Sequence, residues 1–171
     1  DVFIETDEVL DFDLTNTDGG VFGTSSVVNA VVTIVNDDVL PPPPPPPIVT
    51  MAVATASVTE PGSGTATLSV NITLSKPATV ASSVDVTTSV PVGSLASSGV
   101  DFVAVSGATV SFAIGETWKV FDVVVNADAF YDGGETVDVA LSNPSSATLG
   151  AIASRSTRIT IADSGLPPTM T

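Results

Sequence analysis

The ten residues Thr65-Ala-Thr-Leu-Ser-Val-Asn-Ile-Thr-Leu74 alternate with a period of two. Ala66, Leu68, Val70, Ile72 and Leu74 hold the even positions, and Thr65, Thr67, Ser69, Asn71 and Thr73 the odd ones. Successive side chains of an extended chain point to opposite faces, so this stretch is a strand with an apolar face inward and a polar face in water. The same alternation recurs at Val110, Phe112 and Ile114, and at Val137, Val139 and Leu141. Near the start, Leu10, Phe12 and Leu14 alternate with Asp11 and Asp13. No segment carries a 3.6-residue period. Short strands broken by Gly, Pro, Asn and Ser turns predict an all-β antiparallel sandwich. Trp118 and Phe121 are expected to anchor it.

Composition narrows the function. The 171 residues suffice for one domain and a remainder, or for two small domains, and 43% are apolar. Four Lys and Arg stand against 19 Asp and Glu, a net charge of -15. Such a chain repels phosphate backbones and anionic membranes, which excludes nucleic-acid binding. No apolar run approaches the ~18 residues that cross a bilayer. The opening DVFIETDEVLD lacks the basic start and apolar stretch of a signal peptide. A leader is therefore expected to have been removed, or the chain to be an excerpt. There is no Cys and no His, so disulfides, thiolate sites and the commonest general base and zinc ligand are all missing. Carboxylate and carbonyl oxygens remain, the ligands of Ca²⁺ and Mg²⁺. Ser and Thr have no base to activate them, so no enzyme is expected. Asp11 and Asp13 could mimic a glycosidase pair, but their alternation with Leu10 and Phe12 places them on a solvated strand face.

Pro41–Pro47 is an unbroken proline run, expected to form a polyproline II spacer of roughly 20 Å. The chain repeats itself across it. Asp1-Val-Phe-Ile-Glu-Thr-Asp-Glu8 matches Asp128-Ala-Phe-Tyr-Asp-Gly-Gly-Glu135 at an offset of 127 (128 − 1). Leu14-Thr-Asn16 matches Leu141-Ser-Asn143, and Thr33-Ile34 matches Thr160-Ile161, at the same offset. Asp37 and Leu40-Pro41 match Asp163 and Leu166-Pro167 at an offset of 126 (163 − 37). This assigns residues 1–39 to the end of one repeat, 40–47 to a linker, 48–164 to a complete repeat and 165–171 to the next linker. Two strands cannot bury an apolar face alone. Residues 1–39 are therefore expected to be completed by further sequence of the same polypeptide or by a neighbouring chain.

The acidic residues gather at predicted strand ends: Glu60 in SVTEPGSG, Asp101 in SGVDFVAVSG, Asp128, Asp132 and Glu135 in NADAFYDGGET, and Asp163 in IADSG. Loops of a sandwich meet at its poles, where converging carboxylates repel unless a cation joins them. Elsewhere, Asp132-Gly133-Gly134-Glu135 reads as a tight turn, and the sequon Asn71-Ile72-Thr73 as incidental on a strand. Trp118 has a less favoured reading as a ligand-stacking residue.

The order SVTEPGSGTATLSVNITLS, GVDFVAVSGATVSFAIGETWKVFDVVV, DAFYDGGETVDVALSNPSSATLGA and a closing strand in IADSG resembles the Calx-beta family over 48–164. The resemblance implies an immunoglobulin-like sandwich that binds Ca²⁺ at one pole. Its implied ligands are Glu60, Asp101, Asp128, the Phe130 carbonyl, Asp132, Glu135 and Asp163. In residues 1–39 the equivalents are Asp1, the Phe3 carbonyl, Glu5, Glu8, Asp37 and Asp38. Ala127-Asp128 stands where many members have Asp-Asp, and Asp163-Ser164-Gly165 where many end in further acids. Fewer charged ligands imply one or two weakly held ions. The expected role is a stalk, fibre or adhesin segment at or outside a bacterial surface, with neighbouring repeats as partners and exposed loops open to a surface ligand. A self-assembling filament subunit is the other reading.

Overall fold

The computed structural model describes residues 6–13, 29–35, 42–128 and 133–164. The chain divides into two units, Asp1–Pro44 and Pro45–Thr171. In the first, β1 (Glu8–Asp13) and β2 (Asn29–Ile34) form an antiparallel pair, with Glu8 opposite Ile34 and Asp13 opposite Asn29.

The second unit is a two-sheet sandwich. Its strands are β3 (Ile48–Met51), β4 (Thr55–Thr59), β5 (Thr65–Leu74), β6 (Ser82–Ser89), β7 (Ala108–Phe112), β8 (Trp118–Asn126), β9 (Glu135–Ser145), β10 (Thr148–Leu149) and β11 (Ser156–Ala162). One sheet runs β10-β3-β5-β8 and the other β4-β11-β9-β6-β7. The chain changes sheets between β3 and β4. There the Val53 carbonyl accepts the Thr157 hydroxyl at 2.6 Å, and the Ala54 carbonyl accepts the Arg158 amide at 2.9 Å. The chain thus leaves an antiparallel pairing with β5 for a parallel one with β11.

The alternating strand that decides the fold is β5 itself. Val70, Ile72 and Leu74 face the core, and Asn71 faces water. Val49, Met51 and Val123 join them from their own sheet, against Val84, Val86, Phe112, Val139 and Ile159 of the other. Two expectations need correction. Trp118 opens β8 and is 59% exposed, so it anchors nothing; Phe121 packs only at the edge of the core. Strand β7 also ends at Phe112, and Ile114 is 72% exposed in the turn that follows. That turn uses Gly115 at φ 85° and a bond from the Ala113 amide to Glu116 Oε2 at 2.6 Å. The Phe-x-x-Gly-Glu-Thr motif is therefore a turn device.

Gly150 sets a tight joint between β10 and the turn at Ile152–Ser154. A Cβ there would lie 2.4 Å from Thr50 Cγ2 and 2.7 Å from Ser154 Oγ. Thr50 is stiff at χ1 and its hydroxyl sits 3.1 Å from that of Thr73, so it yields poorly. Gly150→Ala is expected to destabilise the unit by about 1–3 kcal/mol, read as a lowered urea midpoint at unchanged slope.

Candidate metal centre

Five acidic residues stand where strand ends meet at one pole. Glu60 follows β4, and its amide donates to the Ala162 carbonyl at the end of β11, at 2.8 Å. Its side chain is 6% exposed, and Oε1 accepts the Asp128 amide at 2.5 Å. Asp128 follows β8, beside Ala127, whose amide donates to the Gly64 carbonyl at 2.9 Å. Glu135 is the first residue of β9, opposite Ile161, and 2% exposed. Asp163 follows β11. One carboxylate oxygen therefore links the end of the β4 strand to the start of the β8–β9 connection.

Asp101 reaches this pole from the long β6–β7 connection. Gly99, at φ 84°, donates its amide to the Phe102 carbonyl at 2.8 Å. The Asp101 carboxylate accepts the Ser97 amide, and the Asp101 carbonyl accepts the Asn126 amide at 2.9 Å. Phe102 pairs with Val125 and is 1% exposed, in a small apolar cluster with Ala96, Val125, Val137 and Ile161. Earlier in the connection, the Ser94 hydroxyl donates to the Thr136 carbonyl and accepts the Thr136 amide, both at 2.8 Å. The connection is thus pinned to β8 and β9, and Asp101 is held inward at 3% exposure.

These acids sense one another. Burial pushes the Glu60 carboxyl above its ordinary range. The amide of Asp128 pulls it the other way, while the charges of Asp128, Asp163 and Asp101 add to the rise. Asp128 Oδ2, Glu135 Oε1 and Asp163 Oδ1 are closed off from solvent, and Asp163 Oδ1 has no hydrogen-bond partner among the described residues. No basic side chain offsets them. The chain has four Lys and Arg, and all four have partners elsewhere. Lys76 donates to the Pro45 carbonyl, Lys119 pairs with Glu116 at 2.8 Å, Arg155 donates to the Gly150 carbonyl at 2.7 Å, and Arg158 grips Asp138 with two bonds of 2.8 Å. The donor set is all hard oxygen and fits a Ca²⁺ ion by chemistry.

Of the sequence-predicted ligands, Glu60, Asp101, Asp128 and Asp163 are brought within electrostatic reach at this pole. Glu135 enters the same set of strand ends. Among the described residues, no three of these carboxylates are gathered closely enough to hold an ion between them. The hydrogen bonds that Glu60 and Asp101 accept hold those two side chains against backbone amides. Phe130, Asp132, Asp1, Phe3, Glu5, Asp37 and Asp38 lie outside the described residues. Glu8 opens β1 and is exposed. Sequence reasoning missed the roles of Ser94 and Ser97, which sit in a Ser-rich loop with no distinguishing spacing.

The Calx-beta domain family matches residues 45–165, more than two thirds of the chain, and the chain belongs to that family. Among solved structures, the apo form of the Calx CBD1 domain is 23% identical, with a TM-score of 0.57 over 69% of this chain and 99% of that one. CBD12 from CALX1.2 is 24% identical, with a TM-score of 0.58 over 67% of this chain and 44% of its own. The calcium binding domain CBD12 of CALX1.1 is 23% identical, with a TM-score of 0.54 over 65% of this chain and 44% of its own. These likenesses support the all-β Calx-beta sandwich that the sequence resemblance implied. No curated protein sequence matches.

Proposed function

We propose that the Calx-beta unit is a calcium-binding structural module, working in a tandem array outside a bacterial cell. The observation that carries this reading is the pole itself: carboxylates from four strand ends and one loop, those of Glu60, Asp101 and Glu135 buried and those of Asp128 and Asp163 half-buried, with every Lys and Arg of the chain partnered elsewhere. Drawn closer together around it than they stand here, Glu60, Asp101, Asp128, Glu135 and Asp163 would hold the ion, joined by Asp132 and the Phe130 carbonyl. A bound cation would supply the positive charge that lets these groups stay ionised together. The name of CBD12 of CALX1.1, a calcium binding domain, points the same way. Two charged positions common in the family are Ala127 and Ser164 here, so affinity in the range of extracellular modules, ~10⁻⁴–10⁻³ M, is expected.

Asp163 lies two residues before Gly165-Leu166-Pro167-Pro168. An ion held there would fix the end of β11 to the domain and stiffen the joint to whatever follows. The module has no His or Cys, and its work is mechanical rather than catalytic. Its partners are adjoining repeats. The array and the location outside the cell rest on the internal repeat, the proline run and the acidic, Cys-free composition.

Melting in calcium and in chelator tests the reading. A ligand at a hundred times its Kd adds about 2.7 kcal/mol to a fold that alone binds it. The melting point of the 45–164 unit is expected to rise by roughly 5–12 °C at saturating calcium. Identical melting curves in calcium and chelator would reduce the module to a passive spacer.

A further inference from the structure

Two hairpins in this chain share one register. In the complete unit, β11 pairs with β9 as Ile161↔Glu135, Thr160↔Thr136, Ile159↔Val137, Arg158↔Asp138, Thr157↔Val139 and Ser156↔Ala140. Subtracting 127 from every number gives Ile34↔Glu8, Thr33↔Val9, Val32↔Leu10, Val31↔Asp11, Ala30↔Phe12 and Asn29↔Asp13. These are the six pairs of β2 with β1. A slip of one residue would turn every side chain to the other face, so equal register means equal faces.

The inward face of the complete hairpin is sealed. Val137, Val139 and Ile159 are 0% exposed and Ile161 is 1%. They are covered by Val49 of β3, Val70 and Ile72 of β5, Val123 and Val125 of β8, and Phe102. The equivalents Leu10, Phe12, Val32 and Ile34 are 49%, 50%, 46% and 54% exposed. The hairpin edges differ as well. In the complete unit β11 has β4 beside it in parallel, and β9 has β6 beside it antiparallel. The β1–β2 sheet has two strands, so both edges are open among the described residues. A bare pair of strands with an apolar face is marginal in water.

We infer that β1 and β2 are the closing hairpin of a second Calx-beta sandwich, and that their apolar face docks a set of strands of the same kind as β3–β8. The occupant is defined by the duplicate: an apolar sheet in the pattern of β3, β5 and β8, with a β4-like strand along β2 and a β6-like strand along β1. A second copy of this chain is the poorer cover, because each copy already closes its own β3–β8 with β9 and β11. The inference needs family membership and the shared register, and it stands or falls without calcium.

The test extends the full chain with its own sequence. Asp1 occupies the repeat position of Asp128, so residues 48–127 placed directly before Asp1 continue the repeat without a seam. Amide hydrogen exchange is followed by mass spectrometry, in chelator throughout. In the 171-residue chain, Val9–Phe12 and Val31–Ile34 are expected to exchange at least about a hundredfold faster than Thr136–Val139 and Arg158–Ile161. In the extended chain, the first two segments are expected to approach the protection of the second two. A companion variant replaces residues 135–161 by residues 8–34, an equal length, within the full chain; it is expected to keep a single cooperative unfolding transition for the sandwich. Hairpin amides that stay unprotected in the extended chain, together with loss of cooperative folding in the companion, would overturn the inference. So would protection in the unextended chain that rises with concentration as it dimerises, since a second copy would then be the cover.

Discussion

Replacing Phe102 by alanine lowers the stability of the complete sandwich by about 3–5 kcal/mol, the usual cost of emptying a buried aromatic site. Phe102 is 1% exposed and sits among Ala96, Val125, Val137 and Ile161, away from the main core. It is the plug that fastens the β6–β7 connection to the end of β8. Around it, the Val103 amide donates to the Val124 carbonyl and the Asn126 amide to the Asp101 carbonyl, each at 2.9 Å. Truncation leaves a cavity under these bonds and frees the segment that carries Asp101. The effect is therefore double: a lower urea midpoint, and calcium affinity weakened more than the small change in side-chain chemistry suggests. A variant that unfolds early yet binds calcium as tightly as the parent would show that Asp101 is not a ligand.

Glu60→Gln is expected to have opposite effects with and without calcium. The glutamine carbonyl can still accept the Asp128 amide, so the link between β4 and the β8–β9 connection survives. What disappears is one buried negative charge among neighbouring acids. In chelator the variant is expected to melt at or above the parent temperature, because Asp128, Asp163 and Asp101 no longer face a fourth charge. In calcium it loses an anionic ligand and at least about a tenfold share of affinity, worth ~1.4 kcal/mol. The pH dependence follows from the direction of the shift. The folded pKa of Glu60 lies above its ordinary 4.5, so the fold prefers the protonated acid. Without calcium, the contribution of Glu60 is complete below that ordinary value and is lost as pH rises through the raised one. Glutamine removes this slope. Melting curves of parent and variant in chelator should therefore diverge on going from mild acid to neutral pH, the variant becoming the more stable. Parallel curves would mean that the Glu60 charge is not crowded.

The fold was legible because it rests on short-range signals. Alternation in β5 and β9 marks buried faces directly, and turn residues mark the ends. The repeat at an offset of 127 located the first hairpin, and its register then followed the duplicate. Trp118 was misread because an aromatic residue on an edge strand looks the same in sequence as one in the core. Which face it takes depends on the partner strand, Thr73 of β5, and on what covers that sheet. The pole was legible in residue type and place but not in arrangement. Spacing can say that Glu60 and Asp163 stand at strand ends, but not that the two strands are neighbours. It cannot say that Glu60 accepts the Asp128 amide, or that a phenylalanine holds Asp101 in position. Such links join residues far apart in the chain, 68 positions in the first case.

The central claim is that this pole, and not the acidic surface at large, takes the cation. Calcium titrated into the isotopically labelled chain, followed amide by amide by nuclear magnetic resonance, tests it most directly. The account predicts saturable shifts centred on Glu60, Asp101, Asp128, Glu135 and Asp163 and fading toward Gly115 and Glu116 at the far end. Shifts that never saturate, or that follow exposed acids such as Asp11 and Asp122 equally, would contradict it.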